Sequence, residues 1–350
     1  LTKVLGARPG QARRAPFIIP YENVLPQIAT PPALGFNASV IGKVTMGARA
    51  ILRDFAAVRG DGHFVRIGDD FFLGTYSTIH IAHGMYPTIV GNNVTVGANA
   101  VVHACDVANN CVFGNNVVVL DGAIISDGVI IEDNSTVFPR AKLAGGFVYA
   151  GTPAKQVRPL APGELEEQAK RIRQSCADVG ARYPDTLAPV FAPNVFVAHT
   201  AYVDGNVDIA AAASVFFSCR LHAGDKAISI GENTNLQDNT LITCTAGDTH
   251  IGKDVTLGHN VTMDSSRVGD RALVGIGSTL RAGSVMEEGS FLAAGAVTEE
   301  GQVLESGWIW AGRPAKPLSK LTDDKRAMMK VIVDQYCLYA RDYTIIQDKP

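Results

Sequence analysis

The chain has 350 residues, enough for two ordinary domains with full cores. Its net charge of −3 offers no basic field to nucleic acid or an anionic membrane, and no apolar run reaches the roughly 18 residues of a transmembrane helix. Six cysteines (Cys105, Cys111, Cys176, Cys219, Cys244 and Cys337) include no CxxC, fit neither a zinc finger nor a disulfide framework, and read as reduced thiols. Only 19% of residues are charged and 35 are glycine, which suits a β-rich fold with many tight corners.

Residues 1–34 carry many prolines and no periodicity, so they read as an extended N-terminal arm. Lys3, Arg8, Arg13 and Arg14 precede the first acid, Glu22. That start reads either as the end of an organelle-targeting peptide or as a plain basic arm.

A six-residue period dominates the next stretch. Val107, Phe113, Val119, Ile125, Ile131, Val137 and Leu143 recur at this spacing, followed by turn formers such as Gly114-Asn115-Asn116 and Asp133-Asn134. Six is neither the helical 3.6 nor the strand alternation of two. It predicts a parallel β-helix in which each hexapeptide makes one flat side of a triangular coil. The aliphatic residue points inward, and Gly, Asn or Asp turns the corner, often at positive φ. Residues 163–177 run from Glu-rich to Lys/Arg-rich, as the helix dipole favours, and predict a closing helix. The first domain then spans 35–178, and the Pro- and Ala-containing stretch 179–193 reads as a linker.

The second domain, 194–345, repeats the first. The run Gly91-Asn92-Asn93-Val94-Thr95-Val96-Gly97 returns 161 residues later as Gly252-Lys253-Asp254-Val255-Thr256-Leu257-Gly258, and Gly151-Thr152-Pro153-Ala154-Lys155 returns as Gly312-Arg313-Pro314-Ala315-Lys316. Upstream, Ile67-Gly68 matches Ile230-Gly231 at an offset of 163, so the first copy has two extra residues in the loop near Ile81–Pro87. Thr322 reads as the N-cap of a second helix, whose apolar period runs through Met328, Val331, Ile332, Gln335 and Tyr339. The sequence therefore predicts an all-β protein with flanking helices: two β-helix domains, each closed by an α-helix.

Arg59-Gly60-Asp61, Ile67-Gly68, His80, the run Pro87–Gly97, His103-Ala104-Cys105 and the terminal Gly-Thr-Pro-Ala-Lys follow one another in an order that resembles gamma-class carbonic anhydrases, over residues 35–178 and again over 190–345. The resemblance implies a left-handed β-helix and a trimer with zinc between subunits, two histidines coming from one subunit and the third from its neighbour. Three neutral imidazoles leave an open position for water, which the metal acidifies for attack on CO2. Carried over by position, each copy is incomplete. The first has His80 and His103 as outer ligands with Arg59 and Asp61, but Ala98 at the middle ligand and Gly74-Thr75 where the family has Gln-Asp. The second has the middle ligand His259 with Gln237 and Asp238, but Thr243 and Asp264 at the outer positions, and His222 and Gly224 in place of Arg59 and Asp61. The losses are complementary, and the expectation is one zinc per chain held by His80, His103 and His259 between the two domains.

By the same resemblance, the chain is similar to the gamma carbonic anhydrase-like subunits of mitochondrial respiratory complex I. That implies a matrix-side mixed trimer on the membrane arm, completed by another gamma-type domain, with CO2 and bicarbonate as small-molecule partners and no nucleic acid. The alternatives are a catalytically silent subunit of that complex and a hexapeptide acyltransferase. Arg59 and Asp61 also read as a bare assembly ion pair, Trp308 and Trp310 as packing residues, and His63, His199 and His250 as surface residues. His83 reads either as a proton shuttle or as a solvated loop residue.

Overall fold

The six-residue period is realised as parallel coils. The computed structural model describes residues 17–176, 190–192 and 194–347, and these form two compact units, 17–176 and 190–347. In the first, Val101–His103 pairs in parallel with Val118–Val119, and that strand with Thr136–Val137; one turn of the coil takes three hexapeptides. Val107, Phe113, Val119, Ile125, Ile131, Val137 and Leu143 are all buried in one continuous core. Removing a buried ring such as that of Phe113 costs about 3–5 kcal/mol. The corners between them stand at positive φ: Asn110, Asn116, Gly122, Gly128, Asn134, Arg140 and Gly146, again six apart. Asparagine tolerates this conformation and also stacks. Asn99 donates to Asn116 and Asn116 to Asn134, each at 3.0 Å, so the corners form a hydrogen-bonded ladder up the prism.

Each unit is a left-handed solenoid of this kind. In the first, the strands Ser39–Met46 and Ala57–Ile67 continue around a corner, so one 12-stranded sheet covers two faces and an 8-stranded sheet covers the third. In the second, Tyr202–Ile209 and Arg220–Ile230 do the same for sheets of ten and eight strands. The inward positions Val268, Val274, Leu280, Met286 and Leu292 are buried, in step with the first copy.

Three readings need correction or completion. The described part of the expected arm, 17–34, is built into the coil: Phe17–Ile19 and Gln27–Ile28 pair with Ser39–Met46, and Ala33–Leu34 pairs with Ile51–Leu52. Pairings of two or three residues leave no visible period, and Pro20, Pro26, Pro31 and Pro32 fall between the strands. Most of the expected linker lies outside the described residues; its Val190–Phe191 is a strand on Asp208–Ile209. The second helix keeps part of its expected face, since Tyr339 is buried and Met328 and Ile332 pack on the core, but Val331 faces outward.

Helix α1, Glu164–Ser175, runs back along its own prism. Leu165, Ala169, Ile172 and the following Cys176 pack in one cluster with Val148, Ile130, Val112 and Phe72. Arg173 locks the far end, its Nε donating to Thr95 Oγ1 at 3.0 Å and its guanidinium standing 5.6 Å over the Phe72 ring. Helix α2, Asp323–Gln347, is twice as long. Thr322 Oγ1 accepts the Lys325 amide at 3.4 Å, the geometry of an N-cap. Its buried face is Met329, Val333, Tyr336, Tyr339, Ala340 and Tyr343, whereas Val331 is 64% exposed. The tyrosine rings set the phase. Tyr343 stacks on Phe196 at 5.8 Å and meets Phe217 edge-on at 5.1 Å. Among the described residues no helix is long and apolar enough to cross a membrane.

Candidate metal-ligating site

Because Ile79 and Val102 point inward, the next residues, His80 and His103, point outward at the ends of the strands Thr78–His80 and Val101–His103. The strands pair in register, so the two histidines are neighbours in successive coils. Their ring centroids are 5.3 Å apart, and a ring nitrogen of each lies within 4.8 Å of one on the other. Both side chains are nearly buried.

Each ring is held by a carboxylate. Asp61 Oδ1 lies 3.0 Å from His80 Nε2, while Asp61 Oδ2 lies 3.3 Å from Arg59 Nη1. Arg59 is fully buried, and a guanidinium there is tolerable only against such a partner. Gly60 between them passes so close to the next coil that a Cβ would sit 2.7 Å from the Lys43 carbonyl oxygen, which accounts for glycine in Arg59-Gly60-Asp61. His103 Nδ1 lies 2.6 Å from Asp121 Oδ1. Burial alone would raise the Asp121 pKa; the His103 ring and its hydrogen bond outweigh that, with help from His80, and hold the carboxyl below its ordinary value.

The second unit carries a different set. His259, fully buried, has Nδ1 at 3.2 Å from Asp238 Oδ2, and Asp238 Oδ1 accepts the Phe217 amide at 3.1 Å. Gln237 donates to Asn235 Oδ1 at 3.3 Å. The Tyr336 hydroxyl on α2 stands 3.4 Å from His259 Nε2.

The equivalent positions in the opposite copy have other uses. Ala98, in the place of His259, packs with Phe72 and Cys176 beneath α1. Gly74, in the place of Gln237, touches the next coil: a Cβ there would lie 2.5 Å from the Gly97 carbonyl carbon. Thr243 pairs in register with Asp264, as His80 does with His103. The Asp264 carboxylate is taken by the Thr245 amide at 2.9 Å, the Thr245 hydroxyl and the Ser265 hydroxyl at 2.8 Å. Burial would raise its pKa, but these donors keep it lowered. His222, in the place of Arg59, pairs instead with Asp204 at 2.5 Å. His250 faces Ser229 at 2.6 Å and His63 accepts the Phe64 amide at 2.9 Å.

Within the first unit the structure brings Arg59, Asp61, His80 and His103 together; within the second it brings Asp238 to His259, and Gln237 bonds Asn235. Asp121 and Tyr336 were missed. Asp121 sits in Leu120-Asp121-Gly122 and reads as a corner residue; comparison with Ala282 at the matching position of the second copy would have singled it out. His80 and His103, each held through one nitrogen by a carboxylate, present the other as a ligand, and such imidazole donors suit a divalent metal such as zinc.

The fold defines a hexapeptide-repeat β-helix protein. The hexapeptide repeat of succinyl-transferase matches residues 64–104, 87–121 and 249–282. Protein YrdA of Escherichia coli strain K12 is 34% identical over 151 residues, covering 41% of this chain and 82% of YrdA. Gamma carbonic anhydrase 1, mitochondrial, of Arabidopsis thaliana is also 34% identical, over 170 residues, covering 47% of this chain and 62% of that protein. A crystal structure of a hexapeptide transferase family protein from Anaplasma phagocytophilum is 38% identical, covering 44% of this chain and 92% of its own, with a TM-score of 0.43. The chain belongs to the hexapeptide-repeat family of Protein YrdA and has gamma carbonic anhydrase homologues.

Proposed function

We propose that this is a gamma-type carbonic anhydrase-like protein that binds one zinc ion per chain through His80, His103 and His259 and hydrates CO2 to bicarbonate. The observation that carries the reading is the state of the three histidines: each is buried and has a ring nitrogen against a carboxylate of its own unit. Bound zinc would supply the Lewis acidity that makes water a nucleophile near neutral pH. The chain's residues do the rest. Asp61, anchored by the buried Arg59, fixes the His80 ring; Asp238, anchored by the Phe217 amide, faces His259. Gln237 is the hydrogen-bonding group for the attacking water or for CO2.

The setting we propose is a mixed trimer of gamma-type domains on the matrix side of the mitochondrial inner membrane, on the complex I arm, with a third domain from another polypeptide. Its support is the resemblance together with the mitochondrial Arabidopsis relative. A second reading, a catalytically silent subunit, draws on the loss of donors at Gly74, Thr75 and Ala98 in one copy and at Thr243 in the other.

Zinc analysis and stopped-flow CO2 hydration on the full chain, prepared without chelator, test the proposal. Zinc with hydration that is lost in His259→Ala supports it. Zinc without hydration supports the silent subunit, and coenzyme A binding without zinc supports an acyltransferase.

A further inference from the structure

We propose that Asp121 is a positioning residue for His103: by holding Nδ1 it makes Nε2 the nitrogen offered to a metal. This rests on the metal-binding reading above. The contact, 2.6 Å, is shorter than the 3.0 Å of Asp61–His80 and the 3.2 Å of Asp238–His259.

The duplication separates this role from a structural one. Wherever a copy keeps a histidine it keeps the facing aspartate, and wherever it lost the histidine it lost the aspartate too. His80 with Asp61 becomes Thr243 with Gly224; His103 with Asp121 becomes Asp264 with Ala282; His259 with Asp238 stands where the first copy has Ala98 with Thr75. The corner itself does not need an acid. Gly122 follows Asp121 at φ 70°, and Gly283 follows Ala282 at φ 73°, so alanine turns the same corner in the second unit. Nor does the core need it, since the Asp121 side chain is 36% exposed. What remains is the bond to His103. A carboxylate on Nδ1 selects the tautomer, fixes the ring plane and raises the basicity of Nε2.

The test uses the full chain with Asp121→Asn and Asp121→Ala, each checked by thermal melting. Nitrogen-15 shifts of His103 in metal-free protein, assigned by their loss in His103→Gln, should report the Nδ1–H tautomer in the wild type and a shift away from it in Asp121→Ala. Zinc affinity, read by competition with a chromogenic chelator, should fall about 10–100-fold in Asp121→Ala. The fall should be smaller in Asp121→Asn, whose carbonyl oxygen still accepts from Nδ1–H. Wild-type affinity in both variants, or an unchanged tautomer in Asp121→Ala, overturns the inference. If the wild type itself takes up no zinc, the metal reading fails and the tautomer measurement alone decides the role of Asp121.

Discussion

His80 and His103 stand directly in register in adjacent coils, their ring centroids 5.3 Å apart. The inward residues that build the coil here are their neighbours Ile79 and Val102. Replacing His103 with alanine should therefore remove a metal donor and leave the fold intact, with a melting temperature within a few degrees of wild type. His80→Ala should cost more, about 1–3 kcal/mol, because it strips a partner from the buried Asp61. Chemical denaturation of the two variants, compared with wild type, checks the difference.

Gly74 separates a lost site from a recoverable one. Since a Cβ at this position would meet the Gly97 carbonyl carbon at 2.5 Å, Gly74→Gln cannot rebuild the glutamine of the other copy without moving a coil. The expected result is destabilisation by about 1–3 kcal/mol, measured by denaturation, with no gain in zinc stoichiometry.

Glu164 opens α1. It accepts from Arg158 at 2.8 and 2.5 Å and from the Ala161 amide at 2.9 Å, and these bonds, Arg158's first, lower its pKa from 4.5 to about 2. A carboxylate whose folded pKa is depressed contributes stability above its unfolded value, and that contribution is lost as pH falls through the folded one. The stability gap between wild type and Glu164→Gln should therefore hold above pH 4.5 and close between 4.5 and about 2. Added salt should narrow it, because the pair lies at the surface. Melting temperatures measured along a pH series test both effects.

The cysteines are unpaired thiols. Burial pushes Cys111 up to about 12 and raises Cys105 and Cys219 as well, so all three should resist a thiol reagent in the native state. Cys337, partly exposed on α2, should react first. A fast phase that disappears in Cys337→Ser, with the buried thiols reacting only on unfolding, is the expected course.

What could be read from the sequence followed from what each feature depends on. The coil depends on the order of inward side chains, so Val107, Phe113 and Val119 disclosed it, and the corners followed from Asn110 and Asn116. The strands within 17–34 depend on pairing with later residues and have no period of their own. The buried face of α2 depends on Tyr336 and Tyr343, whose ring partners Phe216 and Phe217 lie far away in the sequence. Among the site residues, Arg59, Asp61, His80 and His103 are neighbours in one unit, and Gln237, Asp238 and His259 in the other. Asp121 escaped because an aspartate before a glycine is ordinary at a corner; its contact with His103 and the alanine at the matching position 282 set it apart.

One zinc per chain is tested by the metal content, by mass spectrometry, of wild type and His259→Ala prepared side by side without chelator. One zinc per wild-type chain and none in the variant is the expected result, with circular dichroism unchanged because His259 is not among the inward residues that build the coil. A wild-type chain without zinc, or a His259→Ala chain that keeps it, would overturn the assignment of His259 as a zinc ligand.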